Sequence, residues 1–323
     1  LNKLNDELKF KNIYYKDEDK RFELKSFKAL GGAFAVYKIA SEKKNITVST
    51  ATAGNHGRSV AWGAQRLGLK CKIFISEFVS ESRAEAMRNL DAEVIRVKGN
   101  YDNSLKECIE QSNKNNWEIV QDVSWEGYKE VPKLIMAGYT IMVKEIIDEI
   151  NKNSITHVFL QAGVGGMAAA MIAGFAKLSE NIPQFIIIEP ENADCVFQSI
   201  KNNKPTTVDI KKETVMGGMS CGDVSSIAWE ILKNSANYCL TIPDEAISTA
   251  VALLAEKRLS NEKIIGGECA VPGVIALIGS FNNKEYLDKL KLNSESNVLL
   301  FGCEGLTDDA MYQKLLNDGL QKI

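Results

Sequence analysis

The stretch His157-Val-Phe-Leu-Gln-Ala-Gly-Val-Gly-Gly-Met-Ala168 indicates the fold class of this chain. It begins with an apolar run typical of a buried strand, turns on glycines, and continues into an apolar helical pattern from Met167 to Leu178. A strand that leads through a short turn into a helix is the first half of a parallel β-α-β unit. The stretch therefore predicts an α/β protein built on parallel sheets.

The same alternation extends over most of the chain. Predicted strands lie at Ile46–Ser49, Lys72–Ile75, Glu93–Val97, Trp117–Gln121, His157–Gln161, Gln184–Glu189 and Asn297–Phe301. Predicted helices lie at Arg58–Leu67, Ser82–Leu90, Ser104–Ser112, Pro132–Ile150, Met167–Leu178 and Val271–Ile278. Asn- and Lys-rich pieces at 113–116, 151–153 and 201–204 are predicted to be solvated loops. The series predicts two doubly wound open-sheet domains, whose ligands bind beyond the carboxyl ends of the strands.

The composition argues against several kinds of partner. The 323 residues are 45% hydrophobic and carry a net charge of −3. Lysines form only short runs, so no nucleic-acid partner is expected. The longest apolar stretch, from Gly163 to Ala176, is too short for a bilayer, so no membrane partner is expected. The seven cysteines are never spaced as a CxxC pair, which predicts reduced thiols, no metal site and a cytoplasmic protein.

The glycine turn after Gln161 is a candidate anion site. Glycines let the backbone approach a phosphate closely, and the N-terminus of the following helix supplies free N–H groups. No Gly-Lys-Ser/Thr follows, which excludes a Walker-type nucleotide site. The pattern Gly163-x-Gly165-x-x-Ala168, with Glu189 at the end of the next predicted strand, also fits a dinucleotide-dependent dehydrogenase. A turn used only for close helix packing is a third interpretation.

Four side chains are candidates for chemistry, each with a structural alternative. Lys28 precedes small residues and a glycine pair, where burial would suit it to Schiff-base chemistry, although most lysines are solvated. His56 has no acid near it in sequence, so it is predicted to pack or cap while Asn55 and the backbone bind. Asp122 is either a ligand-facing acid or a helix cap. Glu268 either lines a pocket or lies near a positive helix end.

Taken together, the motifs resemble one family. In order and spacing they are similar to pyridoxal-phosphate (PLP) enzymes of fold type II, the tryptophan-synthase β fold. More narrowly they resemble the diaminopropionate ammonia-lyase family. The motifs are Arg21-Phe, Ser26-Phe-Lys-Ala-Leu-Gly-Gly, Gly54-Asn-His-Gly-Arg-x-Val-Ala-Trp62, Gln121-Asp-x-x-Trp-Glu-Gly-Tyr128, Gln161-Ala-Gly-Val-Gly, Glu189-Pro-x-x-Ala-Asp-Cys195, Ser220-Cys-Gly222 and Glu304-Gly-x-Thr-Asp308. The match runs from Leu1 to Tyr312.

The resemblance implies an architecture and a set of site residues. It implies a large PLP-binding domain at residues 1–33 and 142–323, a small mobile domain at 34–141, and a homodimer. Lys28, which would bind pyridoxal 5′-phosphate as a Schiff base, and Asp122 are the implied catalytic residues. The implied cofactor contacts are Lys28, Asn55, Gly163, Val164, Gly165, Gly166, Met167, Glu268 and Cys303. The implied substrate contacts are Thr52, Ala53, Asn55 and Asp122.

The implied reaction is PLP-dependent elimination of ammonia from 2,3-diaminopropionate, a small amino acid, which gives pyruvate and ammonia. Two residues depart from the family pattern. Ala53 stands where the family commonly has the Asp assigned as the base for the D-isomer, which predicts that the L-isomer is favoured. Cys303 stands where the partner of the pyridine nitrogen is usually Ser or Thr. Elimination on serine, threonine or another β-substituted amino acid, or a degenerate PLP-binding protein, are the alternatives.

Overall fold

The computed structural model describes residues 1–150 and 154–323. These residues form a five-stranded and a four-stranded sheet in which every strand pair is parallel, so the predicted α/β class is confirmed. By compactness the chain divides into a first unit, Leu1–Lys20 with Met142–Ile323, and a second unit, Arg21–Ile141. The loop predicted at 151–153 lies outside the described residues.

The strands and helices alternate through both units. The strands are β1 Asn12–Asp17, β2 Thr47–Ala51, β3 Lys70–Ser76, β4 Ala92–Val97, β5 Glu118–Ile119, β6 His157–Gln161, β7 Gln184–Pro190, β8 Tyr238–Ile242 and β9 Asn297–Gly302. The helices are α1 Asn2–Leu8, α2 Lys28–Glu42, α3 Asn55–Arg66, α4 Glu81–Arg88, α5 Tyr101–Asn115, α6 Glu130–Tyr139, α7 Ile141–Glu149, α8 Gly166–Leu178, α9 Cys195–Asn202, α10 Ser226–Ser235, α11 Ile247–Ala255, α12 Pro272–Phe281, α13 Lys284–Leu290 and α14 Asp309–Leu320.

The first unit contains the five-stranded sheet, in the order β1-β9-β6-β7-β8. Strands β7 and β8 lie on one side of β6 and β9 lies on the other, so the strand order reverses beside β6. Ligands of doubly wound sheets bind at such a reversal. The glycine turn after β6 and Cys303 after β9 flank it. Fully buried phenylalanines form much of the core around these strands, namely Phe159, Phe175, Phe185 and Phe301.

The second unit contains the four-stranded sheet, in the order β4-β3-β2-β5. Here the order reverses beside β2, because β3 lies on one side of it and β5 on the other. The turn Thr52–Gly54 follows β2, and Asp122 comes three residues after the end of β5. The same topological rule therefore places both stretches at the reversal of this sheet.

Helix α2, which begins at Lys28, is held at close range by two neighbouring helices of the second unit. A Cβ built at Gly31 would lie 2.3 Å from the Tyr139 ring of α6, and one at Gly32 would lie 2.4 Å from Ser59 Oγ of α3. Ser59 Oγ donates to the carbonyl of Lys28 (2.6 Å) and accepts from the amide of Ala33 (3.1 Å). The glycine pair after Lys28 thus lets helices pack tightly around the first turn that carries the lysine.

Several predicted elements differ from the observed ones. Strands β1 and β8 were not predicted, since both are largely half-buried and lack a long apolar run. The strand predicted at Trp117–Gln121 shortens to β5, and the helix predicted at Pro132–Ile150 is divided into α6 and α7 at Thr140. The predicted loops at 113–116 and 201–204 are wrong in part, because α5 and α9 continue into them and end at asparagines in left-handed conformations.

The predicted domain boundary at residue 33 differs from the observed division into units. Helix α2 packs on α3 and α6, so residues 21–33 group with the second unit. The functional roles predicted for the two domains remain predictions. Among the described residues, none of the helices is both long enough and apolar enough to cross a bilayer.

Candidate active site

The turn between β6 and α8, in the first unit, is the candidate anion site. Gly165, the N-cap residue of α8, has φ +88°, and a Cβ built on it would lie 2.8 Å from Leu232 Cδ1. A Cβ at Gly163 would lie 3.0 Å from Cys221 Sγ. The backbone conformation therefore favours glycine at Gly165, and a larger residue at Gly163 would crowd Cys221.

The N-terminus of α8 has the donors that a phosphate needs. Gly165, Gly166 and Met167 are buried, and a glycine N-cap has no side chain to satisfy the first N–H groups of the helix. A buried helix N-terminus of this kind is stabilised by an anion, through its N–H groups and its positive dipole end. This donor set fits a phosphate group, and the phosphate contacts of the stretch from Gly163 to Met167 remain a prediction.

Glu189, near the end of β7, caps another helix, α9, with its carboxylate. Its carboxylate accepts the backbone N–H groups of Val196 (2.8 Å) and Phe197 (2.7 Å) in the first turn of α9. Burial raises the pKa of Glu189 to about 8, despite these two hydrogen bonds. Since its oxygens cap α9, Glu189 is not presented to a ribose, and the dehydrogenase alternative loses its acidic residue.

Cys303 lies directly after β9, and the packing in this region explains why the preceding residue, Gly302, is a glycine. The thiol of Cys303 donates to the carbonyl of Cys269 (3.0 Å) and is buried. A Cβ built at Gly302 would lie 2.4 Å from the Tyr15 ring, and the Tyr15 hydroxyl donates to the carbonyl of Ala270 (3.1 Å). Gly302 is therefore required by the packing of Tyr15.

Gln161 joins the ends of the neighbouring strands β6 and β9 of the first unit. Its Nε2 donates to the carbonyls of Cys269 (2.8 Å) and Phe301 (2.7 Å). This amide bridges β6 to β9 directly before the glycine turn. Gln161 appears in the sequence motifs, but its role was not predicted, because a buried amide leaves no periodic pattern in the sequence.

Glu268 lies beside a second acid rather than alone. Glu268, Cys269 and Glu304 place ligand-type atoms within 4.8 Å of one another, and all three residues are buried. Glu304 Oε1 accepts the amide of Cys269 (3.0 Å). Burial, together with these neighbouring acids, raises the pKa of the Cys269 thiol well above its ordinary value, so the thiol stays protonated and is a poor metal ligand.

In the second unit, Lys28 contacts Asp122. The Lys28 ammonium forms a short ion pair with Asp122 Oδ2, and the two side chains are 25% and 12% exposed. Lys28 Nζ also lies 5.4 Å from the centre of the Phe27 ring. Burial alone would raise the pKa of Asp122, but neighbouring His56 and the Lys28 ammonium hold it well below its usual range. The structure thus joins the two residues predicted to be catalytic.

Asp122 is positioned by the residue before it. The side chain of Gln121 accepts from Thr50 Oγ1 (2.8 Å) and the amide of Ala51 (3.0 Å), and donates to the carbonyl of Ala51 (3.0 Å). The Tyr128 hydroxyl accepts the amide of Gln121 (2.9 Å). These contacts fix the backbone against the end of β2. The helix-cap alternative for Asp122 is wrong, because the next helix, α6, begins only at Glu130.

The turn after β2 is shaped by its own threonine. Thr52 Oγ1 accepts the backbone N–H groups of Gly54 (3.0 Å) and Gly57 (3.2 Å), so it organises the turn and the start of α3. Ala53 is exposed, and its carbonyl accepts from the Arg83 guanidinium (3.4 Å). Asn55 is half-buried in the first turn of α3. The sequence indicated nothing about Arg83, which lies on a different helix.

His56 is packed in the interior, which is the first of the two roles predicted for it, and it does not cap a helix. It is 4% exposed, its Nε2 lies 2.7 Å from the carbonyl oxygen of Val120, and its Nδ1 lies 3.8 Å from Asp122 Oδ2. The acid that seemed to be missing beside His56 therefore comes from a distant part of the sequence. Burial lowers the pKa of His56, against the opposing effect of the Asp122 carboxylate.

Comparison with known proteins concerns the glycine turn of the first unit and the residues around Lys28 in the second unit. A family model described as pyridoxal-phosphate dependent enzyme matches residues 1–303. The diaminopropionate ammonia-lyase of Escherichia coli (strain K12) is 34% identical over 333 residues, which cover 96% of this chain and 84% of the relative. Both matches include the lysine, the Asn55 turn and the glycine turn.

Solved structures agree with this. The crystal structure of the Escherichia coli diaminopropionate ammonia-lyase in complex with an aminoacrylate-PLP azomethine reaction intermediate has a TM-score of 0.90, at 34% identity, and the match covers 98% of this chain and 86% of that chain. The same enzyme in complex with D-serine has a TM-score of 0.91 at 33% identity, with the same coverage. The fold is thus that of fold type II, and the protein is a PLP-dependent lyase. The chain belongs to the diaminopropionate ammonia-lyase family of pyridoxal-phosphate dependent enzymes.

Proposed function

We propose that this protein eliminates ammonia from L-2,3-diaminopropionate. One water molecule is consumed overall, and the products are pyruvate and two molecules of ammonia. The observation that carries the proposal is the contact between Lys28 and Asp122, which sets an amine base beside a buried carboxylate. A carboxylate with a lowered pKa is suited to a substrate whose leaving group is itself an amine.

The cofactor contacts that we propose include residues of the first unit and residues of the second unit. The N–H groups of the turn from Gly163 to Met167 would hold the phosphate, and Lys28 would hold the aldehyde carbon. Asn55, Glu268 and Cys303 are the proposed partners of the ring. When bound, pyridoxal phosphate supplies an electron sink for the electron pair of the broken Cα–H bond.

The protein side chains then move protons. Lys28, as a neutral amine, takes the α-proton of the L-isomer. Asp122 accepts hydrogen bonds from the β-nitrogen, which has to depart protonated, as ammonia rather than as an amide ion. The released aminoacrylate reacts with water to give pyruvate and the second ammonia. Thr52, Ala53 and Asn55 are proposed to contact the substrate.

A pyruvate-release assay tests the proposal. The purified protein with PLP is given L- and D-diaminopropionate, L-serine and L-threonine in parallel. Pyruvate is measured with lactate dehydrogenase, and ammonia release is measured for all four substrates. We expect the L-isomer of diaminopropionate to be turned over with the largest kcat/KM. Lys28→Ala should abolish this activity, while Lys133→Ala, which removes an exposed lysine paired with Glu130, should leave it intact.

Two outcomes would point to the alternatives. Faster turnover of serine or threonine would identify a hydroxyl-eliminating enzyme. Absence of product from every substrate, with PLP absorbance that amines still shift, would identify a PLP-binding protein without lyase activity.

We also propose that the protein is a cytoplasmic homodimer. Light scattering of the purified protein should then give about twice the chain mass of 35.7 kDa.

A further inference from the structure

One oxygen of Asp122 is close to nitrogen atoms of two other side chains. Oδ2 contacts Lys28 Nζ and lies 3.8 Å from His56 Nδ1. All three residues belong to the second unit. The side chains of His56 and Asp122 are 5% and 12% exposed, so water competes little with this arrangement.

The hydrogen-bond pattern fixes the tautomer of His56. The Val120 carbonyl can only accept, so Nε2 of His56, 2.7 Å away, must carry the proton. In the neutral ring, Nδ1 therefore carries the lone pair. No described residue donates to this buried Nδ1. A buried acceptor without a donor is costly, and here it also lies near an anion, so a proton on Nδ1 would relieve both effects.

We propose that His56 is a positioning residue that stores one proton for Asp122, so that Lys28, Asp122 and His56 act as a three-membered proton relay. The proposal rests on the proposed function, in which Lys28 is the α-proton base and Asp122 binds the β-amine. The relay requires no further reactant, because the stored proton is one the protein already carries.

The proton and electron balance is as follows. A proton leaves the Lys28 ammonium and passes to Asp122 Oδ2. When His56 Nδ1 closes the present 3.8 Å gap to hydrogen-bond distance, the proton passes on to it, which leaves Lys28 neutral and His56 an imidazolium. Lys28 then takes the α-proton of the substrate. His56 returns its proton through Asp122 to the β-nitrogen, the Cβ–N bond breaks, and its electron pair leaves with ammonia. At the end Lys28 is again an ammonium and His56 is neutral.

The charged groups around His56 determine its pH response. Asp122 favours the imidazolium, and the Lys28 ammonium opposes it. Tyr139 lies near Lys28, and burial raises the pKa of its hydroxyl, so it stays neutral throughout the relevant range. Removal of the Lys28 charge should therefore raise the pKa of His56, because only the Asp122 carboxylate would remain beside it.

Nuclear magnetic resonance can measure this without any turnover. The chain has two histidines, so ¹⁵N-histidine labelling gives two signals, which a His157→Gln variant assigns. We expect the Nε2–H tautomer for His56 in the native protein. In Lys28→Ala, the pKa of His56 should rise by about one to three units, and in Lys28→Ala/Asp122→Asn the rise should disappear. No rise in Lys28→Ala would overturn the relay, as would an equal rise in Lys133→Ala.

Kinetics with two leaving groups give the second test. In His56→Gln the amide nitrogen can still donate to the Val120 carbonyl, but no atom can take the proton of Nδ1. We expect kcat for L-diaminopropionate to fall by about 10²-fold with KM nearly unchanged. Elimination of chloride from β-chloro-L-alanine needs no proton on the leaving group, so its kcat should fall less than about threefold.

The two tests separate the relay from the proposed function. Equal losses on both substrates would mean that His56 is only structural and would overturn the relay. If the native protein eliminated chloride but never ammonia, the proposed function would be wrong. The resonance experiment would still measure the coupling of His56 to Lys28, independently of that result. If His56→Gln did not fold, the Lys28→Ala titration would still decide.

Discussion

Ala53 is the residue at which the resemblance implies the clearest departure from the family pattern. Ala53 is exposed in the turn after β2, and its carbonyl accepts a hydrogen bond from the Arg83 guanidinium at 3.4 Å. The α-proton of a D-amino acid lies on the face opposite to that of an L-amino acid, so a second base is needed to remove it. A methyl group offers none.

A carboxylate introduced at this position should change the stereochemical preference. We expect Ala53→Asp to raise kcat/KM for D-diaminopropionate by about 10²-fold, the lower end of what a positioned general base contributes, with little change for the L-isomer. The nearby Arg83 would lower the pKa of the new carboxyl and limit its basicity. Ala53→Asp/Arg83→Gln should therefore be more active on the D-isomer than Ala53→Asp alone. Pyruvate release with each isomer measures both effects.

The matched control is Ala53→Asn, which has the same shape but no basic oxygen of comparable strength. It should gain nothing on the D-isomer. The argument would be wrong if the native protein already turned over the D-isomer at a rate similar to the L-isomer, or if the asparagine variant gained as much as the aspartate variant.

At the scale of elements, sequence patterns predicted what one strand or one turn determines by itself. Strand β6 is buried at every position, so its apolar run was clear, and the glycine turn followed from the need for close backbone approach. Strand β8 was missed because four of its five residues are half-buried and its pattern is ambiguous. The contacts of His56 with Asp122, and of Arg83 with Ala53, join distant segments and leave no periodic signal in the sequence.

The turn before α8 provides the element-scale prediction. Gly165→Ala places an L-residue at φ +88° and a methyl group 2.8 Å from Leu232 Cδ1. The left-handed conformation costs about 1–2 kcal/mol, and the Leu232 side chain must also move. We expect the free energy of unfolding to fall by roughly 1–3 kcal/mol and the Kd for PLP to rise, since the anion-binding N–H groups would be displaced. Urea titration and PLP absorbance measure these effects.

Gly279→Ala is the control for this substitution. Gly279 is an exposed residue in α12, and no described atom lies within 4 Å of a Cβ built there. Alanine is favoured over glycine inside helices, so this variant should be unchanged or more stable by about 0.5–1 kcal/mol, with normal PLP affinity. Similar losses in the two variants would mean that the conformation of Gly165 has no special role.

At the scale of the whole molecule, one topological rule applies in each unit. The strand order reverses beside β6 in the first unit and beside β2 in the second. The glycine turn, Cys303, the turn Thr52–Gly54 and Asp122 follow the strands at these reversals. The rule needed only the alternation of elements, so the sequence sufficed to select the candidate turns. It did not reveal that residues 21–33 pack with the second unit, because the contacts of α2 with α6 are made across a long stretch of chain.

Removal of the cofactor should destabilise the protein, and the phosphate should account for much of the effect. A ligand present at a hundredfold excess over its Kd stabilises the folded state by about 2.7 kcal/mol, so treatment with hydroxylamine and dialysis should lower Tm by roughly 5 °C or more. Added PLP should restore Tm in calorimetry. Pyridoxal, which lacks the phosphate, should restore much less, because the uncapped N-terminus of α8 would gain no anion. Equal recovery with both compounds would contradict the assignment of the glycine turn as the phosphate site.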